Sequence, residues 1–247
     1  MNWQTLCAAL FPDGHQISAQ AEFLQGSAQV DGQTLYVIGT CEGAEIGVEL
    51  ALRQAQAVLQ VVQNAPRAPI LLLVDTVGQR LRLRDEMLAI NGYMAHLAKC
   101  VQYAREQGHL VLALVYSQAL SGGFLSSGLM AQACYALPDV SIRVMDLQAM
   151  ARITKLPLAE LQELARHNPV FAPGAANYWQ MGGLQAIWSG DLASALRQAL
   201  QAGDAAQDSA QDSAQDQRPA LGAARGGRLM AQQVIDLILQ DRDDATP

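Results

Sequence analysis

The sequence predicts an α/β protein in which β-α units stack around a parallel sheet. Two continuous apolar runs, "ILLLV" at 70–74 and "HLVLALVY" at 109–116, have the composition of strands buried on both faces. Segments with apolar residues at helical spacing lie between and around them. Strand and helix alternate along the chain, which is the rhythm of parallel β-α-β packing.

The elements follow in order. "GSAQVDGQTLYVIGTCEG" reads as a hairpin, because Asp31-Gly32 is a tight-turn dipeptide between two apolar strands. "AEIGVELALRQAQAVLQVVQ" places Val48, Leu52, Ala55, Leu59 and Val62 on one helical face, and "NAP" with "RAP" stops that helix. The strand "ILLLVDT" comes next. A second amphipathic helix carries Met87, Ile90, Met94, Leu97 and Val101 on one face. "HLVLALVY" is the second buried strand, and "GGFLSSGLMAQACYA" reads as the helix after it. "LPLAELQELARH" and "APGAANYWQMGG" are further helical segments, the latter closed by Gly182-Gly183.

This organisation predicts a main domain over 1–200. From 201 to 227 the repeated A-Q-D-S and the lack of an apolar face predict an acidic flexible linker. From 228 to 247 an amphipathic helix is expected, with Met230, Val234, Leu237 and Ile238 in one stripe. It must dock on its own domain or on a partner.

Composition narrows the function classes. Of 247 residues, 51% are hydrophobic and only 16% charged, so the chain can fill a sizeable core and expects more covered surface than a monomer provides. A net charge of −7 without a basic stripe argues against a nucleic-acid partner. No apolar run approaches the roughly 20 residues of a membrane span. The N-terminus lacks the basic and long apolar regions of a secretory signal, so a soluble cytoplasmic protein is expected. The four cysteines are scattered without metal-ligand spacing; they read as buried thiols, and no metal site is expected.

Two segments carry the chemistry, each at the end of a buried strand: "DTVGQRLRLRDE" and "SQALSGGF". Parallel packing brings both to one edge of the sheet. Glycine next to a helix start lets backbone N–H groups face a ligand, and such groups stabilise an oxyanion. Gly122 and Gly123, with the N–H of Phe124, are the predicted donors on the second loop, which reads as a rim feature. Ser121 has a rival role. Ala119-x-Ser121-x-Gly123 is one glycine short of the G-x-S-x-G nucleophile elbow, and no histidine lies nearby in sequence to act as its base. Ser121 therefore reads as a turn or hydrogen-bonding residue. His167, at a helix end, reads as a surface or capping histidine. Arg80, Arg82 and Arg84 in "RLRLR" either steer an acidic partner or line a solvated strand edge.

The loops together carry a resemblance. The chain resembles the crotonase-like carboxyltransferase subunits, and within them the malonate decarboxylase gamma-subunit family. Asp75-Thr76-Val77-Gly78 stands where the family has D-T-P-G, with Val77 in place of the proline. Glu86 and "MAHLAK" at 94–99 match the acidic residue and helix that follow, and Ala119 to Phe124 match the later glycine loop. "FLQGSAQVDGQTLYVIGT" is similar to the family's entry hairpin, and "FAPGAANYWQMGGLQAIW" to its late helix and turn. The segment around Ser121 also resembles the serine site of Clp-type proteases, which share the fold. There Leu147 stands in the place of the protease histidine.

The resemblance implies stacked β-β-α units of the ClpP/crotonase kind over about 10–195. It implies a site shared with a crotonase-like beta subunit, and a malonyl thioester on the phosphopantetheine-like thiol of an acyl carrier protein. An alpha subunit would act as the acyl-carrier transferase, and no cofactor would bind this chain directly. Loss of CO2 leaves an enolate that needs an oxyanion hole but neither nucleophile nor metal. In this frame Gly122, Gly123, Ser121 and Phe124 are the catalytic set, and Gly78, Gln79, Thr76 and Ala119 the substrate-binding set. Half of a biotin-dependent carboxyltransferase, a non-catalytic scaffold for the beta subunit, and a serine hydrolase remain as alternatives.

Overall fold

The computed structural model describes residues 1–145, 147–167, 173–208 and 216–244. A short helix, α1 (Trp3–Leu10), is capped by Asn2, whose side chain accepts the Thr5 N–H at 2.8 Å. Strands β1 (Ser18–Gln20), β2 (Phe23–Val30) and β3 (Gln33–Thr40) form an antiparallel meander. The β2–β3 turn is the predicted one: Asp31 and Gly32 both have positive φ, 50° and 81°. Then come β4 (Ala44–Ile46), α2 (Val48–Asn64) and β5 (Ile70–Gln79). After α3 (Leu83–Met87) and α4 (Ile90–Glu106), β6 (Val111–Leu120) runs parallel to β5. A one-turn helix, α5 (Ser121–Leu125), and a 3-10 turn (Gly128–Met130) lead to β7 (Ala133–Ala136) and β8 (Ser141–Arg143). The rest comprises α6 (Leu147–Thr154), α7 (Leu158–His167), α8 (Ala175–Gln180), β9 (Ala186–Ile187), α9 (Leu192–Asp208), α10 (Arg218–Ala224) and α11 (Ala231–Asp244).

The sheet order is β1-β2-β3-β5-β6-β7-β9, and two short strands lie off this path. Along β5, β3 pairs the first half and β4 the second; along β6, β7 pairs the first half and β8 the second. Each long strand thus has two successive partners on one side, which is the expected stacking of β-β-α units. The changeover is marked by register shifts in the β4–β5 and β5–β6 pairings, at Val77 and across Tyr116–Gln118. Bulges re-aim the strand ends, and here they do so just before the site. The first halves, 70–74 and 111–116, are buried throughout, which explains their unbroken apolar run.

Helix α2 buries Val48, Ala51, Ala55, Val58 and Val61, and packs on α4. Leu52, Leu59 and Val62 are only half-buried, so the inner face is rotated about one residue from the expected stripe. Small alanines let the two helices approach, and the leucines flank the contact.

Several expectations are corrected. The helix expected through Met87 is two helices, broken at Ala89, whose φ is 57°. Met87 is 78% exposed, and the buried residue of α3 is the charged Asp85. An ion pair to Arg80 thus overrides the apolar register. The helix expected over 122–136 is only the five residues of α5; "ACYA" becomes β7, where an all-apolar run can be buried on both faces. The linker expected over 201–227 is largely helical at both ends. Helix α9 runs to Asp208 because Leu196, Ala199 and Leu200 are buried and Gly203 sits directly on Leu110. Helix α10 docks through Arg218, which donates to the Leu129 carbonyl at 2.8 Å, and through Gly222, packed on the Met181 carbonyl. The middle of the A-Q-D-S repeat, 209–215, lies outside the described residues. Val234, Leu237 and Ile238 lie on α11, whereas Met230 lies in the turn before it; all four are exposed, and α11 packs chiefly on α10.

The close approach of β3 to β5 depends on Gly39, paired with Leu73; an added Cβ would run into the Leu73 carbonyl. Gly39→Ala is expected to destabilise the chain by about 2 kcal/mol. Urea titration should show a lowered midpoint at constant slope, and an unchanged midpoint would contradict this packing.

Candidate functional site

The two predicted loops are not free loops. Both are the far ends of β5 and β6, and they touch. Gly78 has φ 101°, and a Cβ there would stand 3.3 Å from the Ser121 Cβ. A Cβ on Gly123 would stand 2.9 Å from Thr76 Oγ1 and from Ile46 Cγ1. Gly122 faces the end of Met94 and the Gln79 side-chain oxygen, at 3.1 and 3.5 Å from its would-be Cβ.

The acidic residue between these strands holds them together. Asp75 is buried, 5% exposed, and its carboxylate accepts N–H bonds from Gly43 at 2.9 Å and Gln118 at 3.2 Å. Its own N–H donates to Thr40 Oγ1 at 3.2 Å. Tyr116 beneath it donates its hydroxyl to the Thr40 carbonyl at 2.9 Å. Burial first, and then the Asp75 charge, push the Tyr116 phenol up from its ordinary value, so it stays a neutral donor. Burial, with Glu42 and Asp75 next, likewise lifts the Cys41 thiol to about 11.

The predicted residues divide into two groups. Thr76 is 1% exposed; its hydroxyl donates to the Ala44 carbonyl at 2.7 Å and accepts the Gly78 N–H at 3.0 Å. The Gly78 N–H is therefore committed inside the turn and is not the open donor the sequence suggests. Ala119, paired with Thr76, is fully buried. Thr76 and Ala119 shape the site without lining it. Gln79 is half-buried, with its side-chain amide 3.4 Å from Glu86.

Around Ser121 the backbone is open. Ser121 has φ 49°, a left-handed turn from β6 into α5. The first N–H groups of a helical turn have no partner within it, and no side chain caps α5. Among the described residues the N–H groups of Ser121, Gly122 and Gly123 make no bond to a loop or cap carbonyl. Gly123 itself is buried, which corrects its reading as a rim glycine: the interior of β4–β5 packs against it. Phe124 is 2% exposed and packs on the Tyr178 ring, so its side chain anchors the turn.

The strained strand-to-helix turn has the form of a nucleophile elbow, but among the described residues no histidine hydrogen-bonds Ser121. His15 accepts the Ile17 N–H, His96 lies 3.6 Å from the Cys100 sulfur, and His109 lies 2.8 Å from the Ala68 carbonyl oxygen. Leu147 opens α6. His167 ends α7, and its side chain lies outside the described residues.

Of the three arginines in "RLRLR", two are committed. Arg80 donates to both oxygens of Asp85 at 2.8 Å and to Glu49 at 2.8 Å. Arg84 pairs with Glu49. The Arg80 guanidinium, with the Val48 N–H, holds the Asp85 carboxyl down at about 2. Arg82 alone of the three is exposed without an ion-pair partner among the described residues. Beside Tyr116–Gln118 of β6 and the segment that leads into β8 opens a cavity of about 600 Å³, bordered by Ser117, Gln118, Ser141, Arg143 and Trp188. Among the site's residues, Asp75 and Arg143 escaped sequence reasoning about function. Only the position of Asp75 at the head of its motif hinted at a role.

The comparisons with known proteins agree with this geometry. The family model for the malonate decarboxylase gamma subunit matches residues 41–242. The chain belongs to that family. It is 31% identical over 211 residues to the Malonyl-S-ACP:biotin-protein carboxyltransferase MADD of Malonomonas rubra, covering 78% of this chain and 70% of that protein. It superposes with a TM-score of 0.73 and 26% identity on a chain of a Pseudomonas malonate decarboxylase hetero-tetramer in complex with coenzyme A, over 96% of this chain and 97% of that one. A Pseudomonas malonate decarboxylase MdcD–MdcE hetero-dimer matches at TM-score 0.69 and 25% identity, over the same shares. The crotonase-like fold and membership of a decarboxylating, carboxyl-transferring enzyme family are thereby shown. No helix among the described residues is long and apolar enough to cross a membrane.

Two predictions follow from the site's polar frame. Asp75→Asn replaces one acceptor by an amide donor, which leaves the Gly43 or Gln118 N–H unpaired. Stability should fall by about 1–3 kcal/mol, read as a lowered urea midpoint; no change would remove Asp75 from its place in the frame. Asp85 has a folded-state pKa of about 2, below its ordinary 3.8. Its contribution is thus complete above about pH 4 and is lost as pH falls toward 2. Urea midpoints measured across that range should fall for the native chain more steeply than for Asp85→Asn.

Proposed function

We propose that this chain is the gamma half of a biotin-independent malonate decarboxylase. With a crotonase-like beta subunit it converts a malonyl thioester to an acetyl thioester. The thioester is carried on the phosphopantetheine-like thiol of an acyl carrier protein, which an alpha subunit loads as acyl-carrier transferase. The C–CO2 bond breaks, its electron pair passes into the thioester as an enolate, and CO2 departs. A proton then adds to the carbon and gives the acetyl group. What the reaction asks of the protein is oxyanion stabilisation in a site shielded from water.

The observation that carries this reading is the set of open N–H groups at Ser121, Gly122 and Gly123, on a turn held from behind by Thr76, Gly78 and Ile46. A rigid donor set of this kind needs no reorganisation as charge develops. A cytoplasmic setting suits the four free, buried cysteines. The second reading, half of a biotin-dependent carboxyltransferase, is favoured by the Malonomonas relative, a malonyl-S-ACP:biotin-protein carboxyltransferase. Both readings use the same enolate. They separate when carboxyl-labelled malonyl carrier is supplied with a biotinyl protein: label appears as CO2 in the first and on biotin in the second.

Ser121→Ala should keep turnover within about tenfold of the native complex, the scale of one hydrogen bond. Gly122→Val places its branches where a thioester oxygen must approach the donors, while its Cβ meets only the flexible end of Met94. It should co-elute with the beta subunit yet slow acetyl formation by about a hundredfold or more. Gly123→Val should instead fail to fold stably, because its Cβ enters a packed interior. A Gly122→Val complex with native turnover would sink the donor assignment.

A further inference from the structure

We infer that Arg143 is the anchor for the phosphate of the thioester-bearing arm, seated in a cavity that lies along β6 before the glycine turn; this rests on the thioester reading above. Arg143 ends β8, directly opposite Leu120 of β6, one residue before Ser121. Side chains alternate along both strands. Ala119 and Ile142 are fully buried in the core, whereas Gln118, Leu120, Ser141 and Arg143 share the other face and are half-buried. Gln118, Ser141 and Arg143 of that face border the cavity of about 600 Å³.

Arg143 is the unsatisfied group there. Its Nε is buried and makes no hydrogen bond. Among the described residues its side chain forms no ion pair or hydrogen bond, unlike Arg80, which is held by two carboxylates. Among the described residues Asp139 is the one carboxylate bordering the cavity; it is exposed and does not pair with Arg143. A half-buried guanidinium without a counter-ion has an electrostatic deficit that an oxyanion fills, and its planar fork suits phosphate.

The departing carboxylate is a poor match for this cation. Decarboxylation removes negative charge from that end and develops it on the thioester oxygen. A guanidinium on the carboxylate would stabilise the reactant more than the transition state. A cation beside the site serves catalysis better by holding a charge that does not react. The cavity is also far larger than a malonyl group, and its volume is that of a pocket for a whole small ligand. Ser117, Gln118 and Ser141 along its wall supply the hydroxyl and amide groups that an amide-containing arm would meet.

The test uses the assembled beta–gamma complex and calorimetric titration with phosphopantetheine and with pantetheine. The native complex should bind the phosphorylated arm about tenfold or more tightly, the scale of one charge-assisted contact. Arg143→Ala should erase that preference, and Arg143→Lys should restore part of it. With malonyl-phosphopantetheine and malonyl-pantetheine as substrates, Arg143→Ala should raise KM for the first far more than for the second. Equal native affinity for the two arms overturns the proposal, as does a preference that survives in Arg143→Ala. Equal loss of turnover on both malonyl thioesters, with phosphopantetheine binding retained, assigns Arg143 to the acyl carboxylate and also overturns it. Thermal melting and co-elution of each variant exclude misfolding. If the native complex decarboxylates neither thioester, the proposed function fails, while the two titrations still decide the phosphate site.

Discussion

Asp75 lies buried between three strands and accepts backbone N–H groups from the segments on either side of β5. One of these, Gly43, stands where β3 has ended and β4 has not begun. The other, Gln118, stands where β6 leaves its pairing with β7 and takes up β8. At such points the ladders are interrupted and backbone donors lose their strand partners. Buried and unpaired, each would cost about 1–3 kcal/mol. A carboxylate with two oxygens aimed at two donors removes both penalties at once. The changeover from one strand partner to the next, and with it the direction in which β5 and β6 emerge, therefore depends on this one side chain.

The next turn outward repeats the logic with a hydroxyl. Thr76 donates to Ala44 and accepts from Gly78, so the turn at 76–78 is closed on itself. Against that closed turn the second one packs without side chains between them: Gly123 lies on Thr76 and Gly78, and Gly128 lies on the Phe124 ring. Glycine is needed here for proximity as much as for conformation. The result is an asymmetry between two loops that look alike in composition. The first has its N–H bonded and serves as backing; the second keeps its N–H groups open. Rigid backing and open donors are both requirements of an oxyanion hole, and they come from different strands.

Much of the fold was legible because the sequence signals and the packing coincide. The apolar runs of β5 and β6 are buried throughout, and Asp31-Gly32 makes the hairpin turn. Legibility failed where polar contacts outvoted periodicity. Asp85, pulled inward by Arg80 and the Val48 N–H, splits a helix that Met87 seemed to extend. "ACYA" has no polar face, so periodicity alone could not separate strand from helix. The acidic repeat disguised the ends of 201–227, where Gly203 and Gly222 secure contacts that no apolar stripe announces. The site was legible as two glycine loops meeting at one edge, but the division of roles was not. Whether a given N–H is open or bonded depends on a hydroxyl two residues away, and composition does not record that.

The charged residues near the site follow one further rule. Arg80 is ringed by Asp85 and Glu49, and Gly47 leaves room for its guanidinium to lie against the backbone. That network is complete in itself and ties the end of β5 to the start of α2, so it stabilises the edge without drawing a ligand. Arg143, a strand away on the other side of β6, has the same side chain and, among the described residues, no such ring. A protein that neutralises one half-buried arginine with two carboxylates, and leaves another beside a cavity with none among the described residues, treats the two differently. The first closes the structure. The second leaves a positive charge on the wall of the cavity, carried by the residue paired with Leu120, from which the chain turns into Ser121, Gly122 and Gly123.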